Sequence, residues 1–239
     1  MNWISWKGEK SILIDGLMIC ELPPITKPRM RYRETFIDGV DGSVIEELGY
    51  ESYVKEVLIA LKGNFKIDEV IDYFTGSGQL ILSNEEEKYY NATIVERIDF
   101  ERLIRFRKAK VKFIVQPYKF MVNMGELSIN PSLGSYTINN RGNVKAKPIL
   151  RLKGSGLVEF KQDGLTIFTY TFPQGENEVV IDSEQQDAYL GAVLKNRNMN
   201  GNFIELNVGL NNISWSGDLT EITVDKWGRW LWLEYMKLM

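Results

Sequence analysis

Asp38 and Asp41, three residues apart, are the nearest thing in this chain to a paired-acid site, and each is followed directly by glycine. Paired carboxylates serve general acid–base chemistry or hold a cation. Asp-Gly is equally turn chemistry, because glycine takes positive φ without a Cβ clash and aspartate bonds the backbone that follows it. The further ligands of an EF-hand loop are missing, so the pair is assigned to a turn. Glu85, Glu86 and Glu87 precede Lys88 and could attract a cation, but in a polar loop between two strands they are expected to be solvated. Gly76-Ser77-Gly78 and Gly154-Ser155-Gly156 are too short for a phosphate-binding loop and lack its Lys and Ser/Thr. The second of these lies between two apolar runs and predicts a hairpin. Cys20 is the single cysteine and there is no histidine. An intrachain disulfide, a thiolate-rich or imidazole metal site, and Ser-His-Asp or Cys-His nucleophiles are thereby excluded. Cys20 is expected to be an ordinary buried thiol. No catalytic residue, no cofactor and no metal is expected, and the chain is read as a non-enzyme.

Cations are the remaining chemistry. Arg29, Arg31 and Arg33 alternate, which places three guanidinium groups on one face of an extended segment, either solvated or facing an acidic neighbouring surface. Residues 101–115 hold the densest basic run: Arg105 and Arg107 flank Phe106, and Lys108, Lys110 and Lys112 alternate with Ala109, Val111 and Phe113. A strand here would have one cationic and one apolar face. Interleaved basic and aromatic residues can bind single-stranded nucleic acid. Against that, the formal charge is −3, and basic and acidic residues nearly balance in both halves of the chain, so sequence-specific nucleic-acid binding is not expected. A half-exposed antiparallel strand whose lysines block stray pairing is the simpler account.

These side chains must be carried by sheets. The chain has 239 residues, 44% hydrophobic and 26% charged, which suits two folded domains. Breakers punctuate the first thirty residues, and Asp15-Gly16 between apolar runs predicts a hairpin. The segment 36–42 predicts a tight reversal, and 53–61 is apolar and β-branched on both parities, a strand expected to be buried on both faces. Ile67, Val70, Ile71 and Phe74 form one apolar stripe at helical spacing, the one helix expected in the first half. The strand pattern stops at Gln116-Pro117. We therefore expect a β-rich domain with one α-helix over 1–122, a linker or arm over 123–143 rich in Asn, Gly and Ser, and a β-sandwich over 144–239 built from seven short strands at 149–152, 157–161, 165–172, 177–181, 202–206, 211–215 and 219–224. The fold class is mainly β. The aromatic end, 227–235, puts Trp230 and Trp232 on one strand face, for core packing, for closure against another surface, or for stacking on sugar rings. No apolar run is long enough for a membrane span, and the N-terminus lacks a signal-peptide layout, so a soluble protein made in a cytoplasm is expected.

The order and spacing of these features resembles the distal tail proteins of long-tailed bacteriophages, the Dit family of phage tail components. In the first domain the match runs through Ile37-Asp38-Gly39-Val40-Asp41-Gly42, the strand ending at Leu61, the helix over 67–74, Lys88-Tyr89-Tyr90-Asn91-Ala92 and Gln116-Pro117. In the second it runs through Asn140-Arg141-Gly142-Asn143, Pro148, Leu152-Lys153-Gly154-Ser155-Gly156, Ile181-Asp182, Asn200-Gly201-Asn202-Phe203 and Gly209-Leu210-Asn211. The resemblance implies a structural virion protein, not an enzyme. It implies a homo-hexameric ring at the virion tail tip, assembled in the host cytoplasm, that joins the major tail (tube) protein to the tail-associated adhesin-bearing protein of the tip or baseplate, with the tape-measure and receptor-binding proteins as further partners. It also implies a galectin-like second domain. Longer members carry inserted carbohydrate-binding domains, for which this length leaves no room. On that reading Arg29, Arg31, Arg33, Arg105, Arg107, Lys110 and Lys112 are candidates for the assembly interface. The rival reading is a carbohydrate-binding, lectin-like module for host cell-wall glycans.

Overall fold

A computed structural model of the chain describes residues 1–231. They form two compact units, Met1–Val122 and Asn123–Trp230, and the molecule is mainly β.

In the first unit the elements are β1 (Ile4–Trp6), β2 (Glu9–Lys10), β3 (Leu17–Glu21), β4 (Met30–Thr35), β5 (Val44–Tyr50), β6 (Tyr53–Leu61), α1 (Ile67–Tyr73), β7 (Ser77–Leu82), β8 (Lys88–Thr93), α2 (Phe100–Phe106) and β9 (Lys108–Met121). Seven strands make one antiparallel sheet in the order β2-β1-β7-β8-β9-β6-β3. Strand β6 is buried on one face, through Lys55, Val57, Ile59 and Leu61. On the other face Val54 is exposed and Glu56, Leu58 and Ala60 are half-exposed, so the expectation of burial on both faces does not hold. Helix α1 closes the core with Val70, Tyr73 and Phe74, and the Tyr73 hydroxyl donates to the Ile4 and Glu9 carbonyls at 3.3 and 3.0 Å. Trp6 and Phe74 both meet the Phe113 ring, at 5.2 and 6.4 Å.

Several local expectations change. A second helix, α2, replaces strand over 100–106. Leu103 is its fully buried anchor, and Arg107 ends it with left-handed backbone at φ 58. Strand β9 continues through Pro117, because residues 116–118 bulge opposite Asn91 and the missing proline N–H leaves no gap in the ladder. Ser11–Leu13 is a 3-10 turn, so Asp15-Gly16 does not join two paired strands. Gly16 has φ +74, and a Cβ there would lie 2.7 Å from the Lys62 and Asn64 carbonyl oxygens. Cys20 is exposed, since the register slip between Ile19 and Glu21 turns it outward.

The second unit contains β10 (Leu127–Ile129), β11 (Ser135–Asn140), β12 (Ile149–Gln162), β13 (Leu165–Thr171), β14 (Glu178–Asp182), β15 (Asp187–Leu190), β16 (Val193–Leu194), β17 (Met199–Gly201) and β18 (Gly209–Asp225). Residues expected to be a linker or arm supply β10 and β11, which both pair with β18. The expected short strands 149–152 and 157–161 are one strand, β12, and 211–215 and 219–224 are one strand, β18. Gly154-Ser155-Gly156 is thus a bend inside β12 and not a hairpin. Before the bend β12 lies between β14 and the end of β18; after it, between β13 and the start of β18. Both halves line one core, with Phe160 and Phe168 stacked at 4.9 Å. Of 202–206, Asn202 N–H bonds the Ile167 carbonyl at 2.8 Å just past β17, and Leu206 bridges Ala146; the segment is not a strand.

Strand β18 changes its inward parity at this bend. Asn211, Ile213 and Trp215 point in before it, and Ile222 and Val224 after it. A one-residue bulge reverses every later side chain, which is how a single strand serves two packed layers. The extra residue is Thr220; Gly217, earlier in the same bend, has φ +104, and a Cβ there would meet the Leu157 carbonyl oxygen at 2.4 Å and Val158 Cα at 2.9 Å. Gly217→Ala is expected to cost about 3 kcal/mol or more of stability in denaturant unfolding. Gly164→Ala, at a left-handed turn with open space around it, is expected to cost only about 1 kcal/mol.

Candidate assembly interface

Among the described residues, strands β4 and β5 pair only with each other and join no larger sheet. The reversal between them is the predicted Asp-Gly turn: Gly39 and Gly42 have φ 81 and 89, and Val40 N donates to the Ile37 carbonyl at 3.1 Å. The tight reversal expected over 36–42 is the tip of this two-stranded ribbon. The aspartates shape the tip, and among the described residues no cluster of three or more His, Cys, Asp or Glu could hold a metal.

An isolated two-stranded ribbon is marginal in water, and this one spends its apolar side chains on solvent. Phe36 is 73% exposed, Val40 61%, and Ile37, Tyr32, Val44, Ile45 and Leu48 are exposed as well. Exposed apolar side chains gathered on one ribbon make it a candidate contact surface. Sequence analysis missed it because alternation looks the same whether the covering surface is the chain's own core or a neighbour.

The predicted interface residues divide. Arg31 and Arg33 lie on one face of β4, with Arg29 just before it. Arg31 donates to the Leu48 carbonyl at 3.0 Å and Arg33 pairs with Glu46 at 3.2 Å, so both brace the ribbon. Arg105 and Arg107 do not share a strand with the lysines. Arg105 is in α2, 5.4 Å from the Phe106 ring, and Arg107 stacks 4.6 Å from Phe65. Lys110 and Lys112 do lie on the outer face of β9, opposite buried Val111 and Phe113, but pair with Glu56 and Glu96 at 2.6 and 2.8 Å. The stripe is therefore a mixed-charge face, not a cationic one.

Beneath the sheet lies a polar cluster with no local sequence signal. Glu85, expected to be solvated, is buried; its carboxylate accepts two bonds from Lys119 Nζ at 2.6 and 2.9 Å and one from the Tyr90 hydroxyl at 2.7 Å, with Lys88 Nζ at 3.8 Å. Lys119 is 0% exposed and Lys55 1%. Lys55 donates to the Pro24 carbonyl at 2.9 Å, and its Nζ and that of Lys119 lie 5.0 and 5.3 Å from the Tyr90 ring. Burial, and then the neighbouring Lys119 charge, pull Lys55 from 10.5 down to about 8, with Glu85 opposing. Burial also lowers Lys119 and pushes Tyr53 up to about 12.

The sign for Lys55 is unusual. Between pH 8 and 10 the unfolded chain keeps a proton that folded Lys55 has released, so stability rises with pH across that window. Wild type is expected to gain roughly 2 kcal/mol on Lys55→Met between pH 7.5 and 10, read from urea midpoints. A constant gap between the two would contradict the buried charge. The raised tyrosines act only above pH 10, where they lower stability as pH climbs.

Sequence comparison finds no matching family model and no matching curated protein. Structure comparison finds a crystal structure of SPP1 Dit (gp 19.1), described as a paradigm of the hub adsorption apparatus in phages that infect Gram-positive hosts. It superposes with a TM-score of 0.65 over 94% of this chain and 98% of that one, at 14% identity. The chain has the fold of a phage Dit protein. At the level of fold the resemblance read from the sequence holds, and so does the mainly β class. The Dit fold here includes the second helix and the bent strands β12 and β18, which sequence reading lacked. Trp227 is half-buried, with its indole N–H donating to Gly125 at 3.3 Å, and Trp230 is buried; the rest of the aromatic end, 232–235, lies outside the described residues.

Proposed function

We propose that this chain is a structural subunit of a phage tail hub, located at the distal end of the virion tail, in which copies close into a six-membered ring. The observation that carries the reading is the β4–β5 ribbon: an apolar, projecting element without a core of its own, on a fold shared with a hub protein. A closed ring is built from head-to-tail contacts, which need two different complementary patches per subunit. The ribbon is one patch. The half-exposed outer face of β6 and β9, with Val54, Leu58 and its Lys–Glu pairs, is assigned as the other. Arg29, Arg31 and Arg33 then belong to the ring contact through the ribbon they brace, and Arg105, Arg107, Lys110 and Lys112 to the face offered to the next copy or to the tail tube. The major tail protein on one side of the ring and the adhesin-bearing tip protein on the other are the proposed partners, with tape-measure and receptor-binding proteins as further neighbours. The role requires no catalytic group, and assembly would take place in the host cytoplasm.

Light scattering on the size-fractionated protein, with negative-stain imaging, tests the proposal. Six-fold rings are expected, alone or on addition of the tube or adhesin-bearing partner. A protein that stays monomeric with both partners present would sink it. Reversing the charges at Arg105 and Arg107 is expected to weaken ring or tube association about tenfold while leaving the fold intact, and unchanged assembly would remove those two residues from the interface.

A further inference from the structure

The chain contains four Asp-Gly pairs, at 15–16, 38–39, 41–42 and 163–164, and the hub role uses none of them chemically. An aspartyl–glycyl bond can rearrange without an enzyme: the glycine nitrogen closes on the aspartate side chain to give a five-membered imide, which water reopens. Glycine permits this because no Cβ shields its nitrogen and its backbone turns freely. Closure also needs the peptide plane between the two residues to rotate toward the side chain. A pair tied down on either flank must therefore open locally before it reacts.

Three of the four pairs are tied. Leu17 N donates to the Ile14 carbonyl at 3.1 Å, closing a turn around Asp15-Gly16, and Lys62 N donates to the Gly16 carbonyl at 2.8 Å. The Asp163 carboxylate accepts from the Asn212 N–H at 3.1 Å and the Asp163 N–H donates to the Asn212 carbonyl at 2.8 Å, which holds that residue against β18. Asp38-Gly39 is the centre of the turn closed by Val40 N on the Ile37 carbonyl at 3.1 Å, and positive φ at Gly39 is what a type II turn requires in its third position. Rotating that central peptide breaks the bond.

Asp41-Gly42 is different. Among the described residues no hydrogen bond or ion pair holds the Asp41 carboxylate or the Gly42 N–H, and both residues are exposed. Gly42 has φ 89, and apart from its chain neighbours no atom lies within 4 Å of where its Cβ would stand, so its nitrogen is open to approach. The pair lies between the hydrogen-bonded turn and the start of β5, in a loop tip of the kind that opens at little cost.

We propose that Asp41-Gly42 is a site of spontaneous isomerisation to an isoaspartyl linkage. The Gly42 nitrogen attacks Asp41 Cγ; the N–Cγ bond forms, the nitrogen gives up its proton, and one carboxyl oxygen leaves as water. A water molecule then adds to the main-chain carbonyl carbon of Asp41, and the bond from that carbon to the nitrogen breaks. The Gly42 nitrogen stays on Cγ. One water is lost and one gained, so mass and oxidation state are unchanged. The backbone gains one carbon, and the carboxylate now hangs directly from Cα, so the loop joining β4 to β5 is longer at its tip.

The full chain, diluted until light scattering reads monomer, is incubated at about pH 5, because loss of water favours a protonated carboxyl. A parallel sample is unfolded in urea. Digestion with a protease that cuts before aspartate but not before isoaspartate, read by mass spectrometry, scores each pair; deamidation at the single Asn-Gly pair, Asn200-Gly201, raises the mass and is thereby separated. In the folded chain Asp41 is expected to isomerise about fivefold faster than Asp38, whose turn bond must first open, and faster than Asp15 and Asp163. In urea all four should react at comparable rates. Asp41→Glu keeps the charge but would have to close a six-membered ring, so it should abolish the product at the tip and leave the other three pairs unchanged. Equal rates at all four pairs in the folded chain, or a folded chain inert at Asp41 while the unfolded one reacts, overturns the proposal.

Discussion

Replacing Phe36, Ile37 and Val40 together with serine is expected to give a folded protein that no longer closes into rings. All three side chains stand at the ribbon tip and are more than half exposed in the single chain, so their loss should move stability by no more than about 0.5 kcal/mol. At an interface the same side chains would each contribute roughly 1–2 kcal/mol by leaving water. Together that is about 4 kcal/mol per contact, close to a thousandfold in affinity, and a closed ring loses it at every joint. Light scattering should therefore report monomer at concentrations where wild type is assembled, with unchanged circular dichroism and melting temperature. Rings that persist would move the interface elsewhere. A drop in melting temperature would mean that the tip packs within its own subunit.

A comparably large effect is expected at the buried cluster, this time on the fold itself. Glu85→Ala leaves Lys119, wholly buried, without its counter-charge and Tyr90 without its acceptor. Removing one partner of a buried ion pair typically costs about 3–5 kcal/mol, a large share of the roughly 5–15 kcal/mol that keeps a domain folded. Replacing both partners, Glu85→Leu with Lys119→Met, should restore part of the loss by removing the orphaned charge, while the Tyr90 hydroxyl still lacks its acceptor. Urea unfolding with an unchanged slope would read both effects as stability changes. A single variant that costs less than about 1 kcal/mol would show that water reaches the cluster.

What the sequence made legible follows from which patterns are local. Lys110 and Lys112 outside and Val111 and Phe113 inside were readable from alternation, and Gly39 and Gly42 from turn chemistry, since each depends on a few adjacent residues. Helix α2 was missed because its stripe, Phe100, Leu103 and Ile104 at i, i+3 and i+4, lasts a single turn, while the basic residues beside it imitate a strand. The continuity of β12 and β18 was hidden by their glycines: Gly154 and Gly217 resemble turns in one dimension and act as bends that bring two backbones together. Glu85 looked solvated among its acidic neighbours because its partner, Lys119, lies thirty-four residues on. The ribbon was half legible: arginine spacing drew attention to 29–33 and Asp-Gly chemistry to the turn, whereas the exposure of its apolar side chains leaves no local mark.

The ribbon also bears on how the protein survives before it has anything to hold. Among the described residues each of its strands pairs on one side only, and an unpaired strand edge of this kind can recruit a stray strand. Arg31, Arg33, Glu34, Glu46 and Glu47 are set among its apolar side chains and act as gatekeepers against that pairing. A variant in which they are neutralised would keep the apolar side chains yet be expected to precipitate during expression.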